Sequence, residues 1–165
     1  MANPLVGIIM GSDSDMDVMS EAGKVLDDFN VPHEIRIVSA HRTPDVMTVY
    51  AQEAYSRGLK VIIAGAGGSA HLPGMTASET LLPVLAVPIK RSPEDHEALW
   101  SNVKMPPGVT LSVMPENGAK NAGLMAVEIL SLMDSNLAQK YAEYRKKMHD
   151  DVIKIDADLQ AKGNS

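Results

Sequence analysis

A short apolar run followed by a helical pattern recurs along the first 133 residues, and this alternation constrains the fold more than any other feature. Residues 5–10 form a continuous apolar run. After them Val18, Met19, Ala22, Val25, Leu26 and Phe29 fall on one face of a 3.6-residue period, and Val31-Pro32 stops the pattern. Residues 34–38 read as a second strand. Thr43 then reads as an N-cap with Pro44 at the first helical position, Met47, Tyr50, Ala51 and Ala54 form the inner face, and Gly58 closes the helix. Residues 60–64 read as strand three, 83–89 as strand four and 109–113 as strand five. A helix is expected to open at Ser92-Pro93-Glu94-Asp95, and another to run from Gly118 or Ala119 to Met133.

Strands alternating with helices imply parallel pairing through right-handed crossovers, a three-layer doubly wound α/β sheet. Strands covered on both faces read as unbroken apolar runs, as strands one, three and four do. Ligands of such sheets bind beyond the carboxyl ends of the strands. The loops after strands one, two and three are therefore where chemistry is expected.

The chain's 165 residues suit a single domain, with a core over 4–133 and an added C-terminal helix over 136–160. It has no cysteine, which excludes disulfides, thiolate metal sites and a catalytic thiol. Fifteen Lys and Arg against 21 Asp and Glu leave a net charge of −6, and aromatics are only 4%. Both argue against nucleic acid as a partner, which needs clustered cations and stacking surfaces. The opening apolar run is too short to span a membrane and lacks the basic flank of a signal peptide, so a cytoplasmic location is expected.

Beyond the α/β unit, Leu137, Tyr141, Tyr144, Met148, Val152, Ile155 and Leu159 recur every three or four residues. That apolar stripe needs a cover, either its own domain or a neighbouring subunit, and a homo-oligomer is expected. Residues 162–165 read as a loose tail.

Three loops carry unusual chemistry. Gly11-Ser12-Asp13-Ser14-Asp15 follows strand one. Its hydroxyls and the free amides of the next helix suit a phosphate, whereas its carboxylates suit sugar hydroxyls. Plain helix capping by Ser14 or Asp15 is the competing reading. Ser39-Ala40-His41-Arg42-Thr43-Pro44 follows strand two. It supplies a guanidinium for phosphate and an imidazole able to act as acid and base near neutrality. Gly65 to Met75 follows strand three. It lacks both a Walker sequence and a dinucleotide fingerprint, so its small residues and single His71 point to backbone wrapped around a small planar ligand, or else to tight packing. His33, His96 and His149 lie in polar surroundings and read as solvated. Asp150-Asp151 and Arg145-Lys146-Lys147 read as the wet face of the last helix, the methionines as core filler, and no metal spacing is present.

The runs G-S-D-S-D, S-A-H-R-T-P and A-G-A-G-G-S-A-H-L-P-G-M, in this order and each just after a strand within residues 6–88, resemble the family of N5-carboxyaminoimidazole ribonucleotide mutases of purine biosynthesis. The resemblance implies a flavodoxin-like or Rossmann-like fold and a homo-octamer. It further implies pockets at subunit contacts, with the C-terminal helix packing on a neighbour. The implied reaction moves a carboxylate from the exocyclic nitrogen of an imidazole ribonucleotide to ring carbon C4, with no metal, ATP, biotin or other cofactor. Ser12, Asp15 and Arg42 are implied to bind the ribose phosphate, helped by Ser14 and Ser39. His41 is implied as the proton carrier, with His71 as the second catalytic residue. Gly67, Ala70, His71 and Leu72 are implied to line the base and carboxylate end.

The chain departs from the family pattern over residues 92–106, where S-G is lost and acids are added, and over the shortened 114–122. The shortening resembles the aminoimidazole ribonucleotide carboxylases that use free CO₂. Arg42 and the H-L-P-G of the third loop resemble the mutases. The alternatives are that carboxylase, a paralogue acting on another ribonucleotide, and a non-catalytic flavodoxin-like module. Flavin binding would want aromatic faces near the first loop, and the only tryptophan is Trp100.

Overall fold

The computed structural model describes residues 3–163. Five parallel strands lie in the order β2-β1-β3-β4-β5, the flavodoxin-like winding. The strands are β1 (Val6–Met10), β2 (His33–Ile37), β3 (Val61–Gly67), β4 (Val84–Ile89) and β5 (Ser112–Val113). The helices are α1 (Met16–Asp28), α2 (Pro44–Glu53), α3 (His71–Glu79), α4 (Glu97–Val103), α5 (Ala119–Ser131) and α6 (Ser135–Gly163). β1 and β4 are buried along their whole length, and β3 up to Ala66, whereas the edge strand β2 leaves Ile35 and Ile37 exposed. Ile9, Val38, Met47, Leu59, Ile62 and Leu72 belong to one packed cluster that joins β1, β3, α2 and α3. On α1, Ala22 and Val25 lie so close to Gly123 of α5 that a Cβ there would stand 2.9 Å from Val25.

The chain divides into two units, Met1–Ala126 and Val127–Ser165. The first holds the whole sheet. In the second, α6 exposes Met148, Val152, Ile153, Ile155 and Leu159. Lys162 and Gly163, expected in a loose tail, belong to this helix. Asn164 and Ser165 lie outside the described residues.

Several local expectations are corrected. Gly65, Ala66 and Gly67 belong to β3, in register with Val87, Pro88 and Ile89, not to a loop. The third loop shrinks to Gly68-Ser69-Ala70, and α3 follows at once, a helix that the small residues conceal. Pro73 is tolerated because it sits in the first turn, where an N–H has no intrahelical acceptor. At Gly74 the helix approaches Met105 closely: a Cβ there would stand 2.9 Å from its Sδ and would have to displace that side chain. Thr43 occupies the N-cap of α2 but makes no capping bond. Its hydroxyl turns back to Ser39, donating to the carbonyl and accepting from the N–H, each at 3.1 Å. The fourth helix starts at Glu97, five residues after Ser92, because Ser92–Asp95 closes as a turn and the Asp95 carboxylate accepts the Glu97 N–H at 3.1 Å. Only two residues of the expected fifth strand pair with β4.

Candidate active site

The strand order sets the loops after β2 and β3 on either side of β1. His41 follows β2, and His71 opens α3. Separated by 30 residues, their rings meet edge to face, with His41 Nε2 2.7 Å from His71 Nδ1 and centroids 4.8 Å apart. One ring nitrogen must donate and the other accept, so this contact holds a single shared proton and ties each ring's tautomer to the other's.

The turn that delivers His71 is tight. Gly68 and Ala70 both take left-handed conformations, at φ +59° and +43°. Such a conformation is costly for alanine and persists only where surrounding contacts impose it. Here Ala70 is 3% exposed, and the Ser101 hydroxyl of α4 donates to the Ser69 carbonyl.

Opposite, Ser12 accepts the Ser14 N–H at 3.4 Å and caps a 3-10 turn, Asp13–Asp15. That turn buries Asp15, leaving it 2% exposed. Burial pushes the Asp15 carboxyl above its ordinary value, although Arg91 and Arg42 pull it down. Arg42 is oriented by the Ser39 hydroxyl, which accepts its N–H at 3.2 Å and its Nε at 3.3 Å, and by the Gly11 carbonyl. These bonds leave further guanidinium donors for an anion.

A cleft of about 280 Å³ runs between these loops. All the sequence candidates line it except Ser14, an exposed residue of the 3-10 turn. Of the two capping candidates in the first loop, Asp15 occupies the N-cap of α1 but makes no side-chain capping bond, and the capping bond is made instead by Ser12 at the 3-10 turn. Gly11, Ala40, Ala66 and Arg91 also line the cleft and went unpredicted. Arg91 had a usable signal, because it stands just beyond β4 at the same sheet edge. Its Nη2 donates to Asp15 Oδ1 at 2.5 Å.

His96 is exposed, as expected, and also pairs through Nδ1 with Glu116 Oε1 at 2.7 Å, while Lys90 reaches the other Glu116 oxygen at 3.2 Å. Although desolvation acts upward on Glu116, bonds from His96 and Lys90 outweigh it and hold the carboxyl below its ordinary value. Among the described residues no three His, Cys, Asp or Glu side chains gather as a metal site. Nor is any helix among them long and apolar enough to cross a membrane.

Cations, a buried carboxylate and two coupled imidazoles at the β1/β3 switch point of a flavodoxin-like sheet define a class: a doubly wound α/β domain built to hold a small polar ligand. Within that class the chain belongs to the AIR carboxylase family, whose model matches residues 5–151. It is 52% identical to the N5-carboxyaminoimidazole ribonucleotide mutase of Thermotoga maritima, over 91% of this chain and 88% of that one. It is 51% identical to the phosphoribosylaminoimidazole carboxylase of Candida glabrata, over 97% of this chain but only 28% of that longer protein. The crystal structure of Treponema denticola PurE superposes with a TM-score of 0.87 at 30% identity, covering 94% of this chain and 98% of that one.

Proposed function

We propose that this chain is an isomerase that converts N5-carboxyaminoimidazole ribonucleotide into the 4-carboxy isomer. The His41–His71 contact carries the reading, because it puts a proton-transferring pair in a cleft that is also lined by Ser12, Arg42 and the small residues Gly67 and Ala70. The relatives named as N5-carboxyaminoimidazole ribonucleotide mutases support it.

The ribose phosphate lies against Ser12, Ser39 and Arg42, and the ribose hydroxyls donate to Asp15. The imidazole lies against Gly67, Ala70 and Leu72. The N–C bond of the substrate breaks, CO₂ departs, and the electron pair left on nitrogen takes a proton from His41. The aminoimidazole C4 then attacks the same CO₂, forming the C–C bond. His41 removes the C4 proton, restoring both the aromatic ring and its own starting state. Holding the CO₂ makes the second step effectively unimolecular. His71 fixes the His41 ring between the two transfers.

Retaining CO₂ needs a closed site, and both imidazoles are exposed in the single chain. A neighbouring subunit supplies the cover in this reading. The exposed apolar residues of α6 provide the contact, the assembly is a homo-octamer, and α6 belongs with the sheet as one functional domain. A cytoplasmic enzyme without metal or cofactor completes the proposal.

A single-turnover assay with N5-carboxyaminoimidazole ribonucleotide in labelled bicarbonate tests it. The expected product appears without label. Product that needs aminoimidazole ribonucleotide plus CO₂, and carries the label in every turnover, overturns the mutase reading for the free-CO₂ carboxylase.

A further inference from the structure

Arg91 sits where β4 ends and crosses the end of β3 at Gly67. A Cβ at that glycine would stand 2.8 Å from its Nε and 3.1 Å from its Nη2, so only glycine leaves this path open without a shift. Its Nη2 lies 2.5 Å from Asp15 Oδ1 and 3.5 Å from Ser14 Oγ, 76 residues or more away in the chain. The Asp15 side chain is 3% exposed and that of Arg91 is 46% exposed, so the pair closes over a buried carboxylate from the solvent side.

The base of Arg91 is pinned. Its own N–H donates to Asp95 Oδ2 at 3.3 Å, and the N–H of Lys90 donates to Asn117 Oδ1 at 2.9 Å. Glu116, shared by Lys90 and His96, joins the loops that follow β4 and β5. These loops carry the residues that depart from the family pattern.

A buried carboxylate beside a phosphate site is an electrostatic conflict. Among the residues lining the cleft, Arg42 and Arg91 oppose Asp15. Without Arg91 the charges of Arg42 and Asp15 would cancel, and the lining would offer an incoming dianion no net positive charge. Arg91 also leaves one orientation of the Asp15 carboxylate favoured.

Resting on the reading of the cleft as a ribonucleotide site, we propose that Arg91 is a substrate-positioning residue acting through Asp15. It neutralises and orients that carboxylate, so the cleft accepts a ribose diol and a 5′-phosphate side by side. It is selective for the phosphorylated sugar without itself carrying out a proton transfer.

The test compares Arg91→Gln and Arg91→Lys by calorimetry with ribose 5-phosphate and with ribose, and by KM and kcat with N5-carboxyaminoimidazole ribonucleotide. Arg91→Gln is expected to weaken ribose 5-phosphate at least tenfold and ribose much less. KM should rise in step while kcat falls less than threefold, and Arg91→Lys should restore most of the loss. Arg91→Lys keeps the charge and therefore still reports if the glutamine variant does not fold. Binding of ribose 5-phosphate by Arg91→Gln within twofold of the parent overturns the proposal, as does a lysine variant as weak as the glutamine one. If the parent chain binds ribose 5-phosphate through Arg91 but does not isomerise the carboxylated substrate, the proposed function fails and the Arg91 assignment stands. If the parent binds no ribose 5-phosphate, both fall.

Discussion

Removing one oxygen atom should make a forbidden methyl group acceptable. Gly7 lies mid-strand in β1, opposite Glu34 of β2, and a Cβ there would overlap Tyr50 Oη of α2. Tyr50 is 4% exposed, and its hydroxyl donates to Glu34 Oε1 at 2.9 Å. Arg57 holds the same carboxylate from the other side, at 2.7 and 2.6 Å. Tyr50→Phe loses a bond to a charged acceptor but leaves Glu34 paired, so it should cost about 1.5 kcal/mol. Gly7→Ala overpacks a site that the hydroxyl fills, at about 2–3 kcal/mol. With the hydroxyl gone, the new Cβ finds Leu59 Cδ1 and the ring Cζ at 3.3 Å, close but adjustable. The double variant should therefore cost about 2 kcal/mol rather than the additive sum of about 4, a coupling well beyond the ~0.5 kcal/mol scatter of independent sites. Thermal or urea unfolding at fixed protein concentration reads it, at about 2–4 °C per kcal/mol for a chain of this size. A double variant that equals the sum of the singles would refute the packing of α2 on β1. The cycle has a pH signature as well. Burial, then Glu34, pushes the Tyr50 hydroxyl above its ordinary value. The folded state keeps its proton while the unfolded chain loses it, so this contribution is complete below pH about 10 and declines as pH rises further. Tyr50→Phe should lack that alkaline decline.

Turnover and binding should separate at the second loop. His41→Asn is expected to bind nucleotide while losing several powers of ten in kcat, whereas Arg42→Ala should chiefly raise KM; near-parental turnover in the histidine variant would remove it from the mechanism. At Asp15 stability and function should oppose each other. Its carboxyl is raised mainly by burial, so the folded state holds a proton more readily than the unfolded chain does, and stability falls as pH rises from about 3.9 through the folded value. Asp15→Asn should raise Tm at neutral pH while weakening ribonucleotide binding, and a lower Tm would show that the Arg91 pair outweighs desolvation. If the exposed apolar residues of α6 make the proposed subunit contact, charges placed there, as in Val152→Asp with Ile155→Lys, should give smaller species in sedimentation than the parent while leaving the far-ultraviolet helix signal of the chain intact. An unchanged sedimentation coefficient would exclude this face from the subunit contact.

The limits of sequence reading are visible in particular residues. Strands covered on both faces announce themselves, as residues 6–10 and 84–89 do, because every side chain there must be apolar. The helix at His71–Glu79 hides, because its small residues carry little amphipathic pattern, and Gly74 lies close against Met105. Ser14 and Ser12 are indistinguishable by type, and only the 3-10 turn decides that Ser12 lines the cleft. The pairing of exposed His96 with Glu116 was not legible because the two lie 20 residues apart.

Local chemistry was therefore determined by the order of residues alone: the strand–helix alternation, the segments after β1 and β2 that bear Ser12, Asp15, His41 and Arg42, and the apolar stripe beyond residue 136. Tertiary structure alone decided the pairings. His41 meets His71 because β2 and β3 flank β1, and Arg91 reaches Asp15 because β4 ends beside a glycine. The physical reason is that periodicity records the burial each residue requires, whereas a hydrogen bond across 30 or 76 residues depends on strand order and on the space left open at single positions.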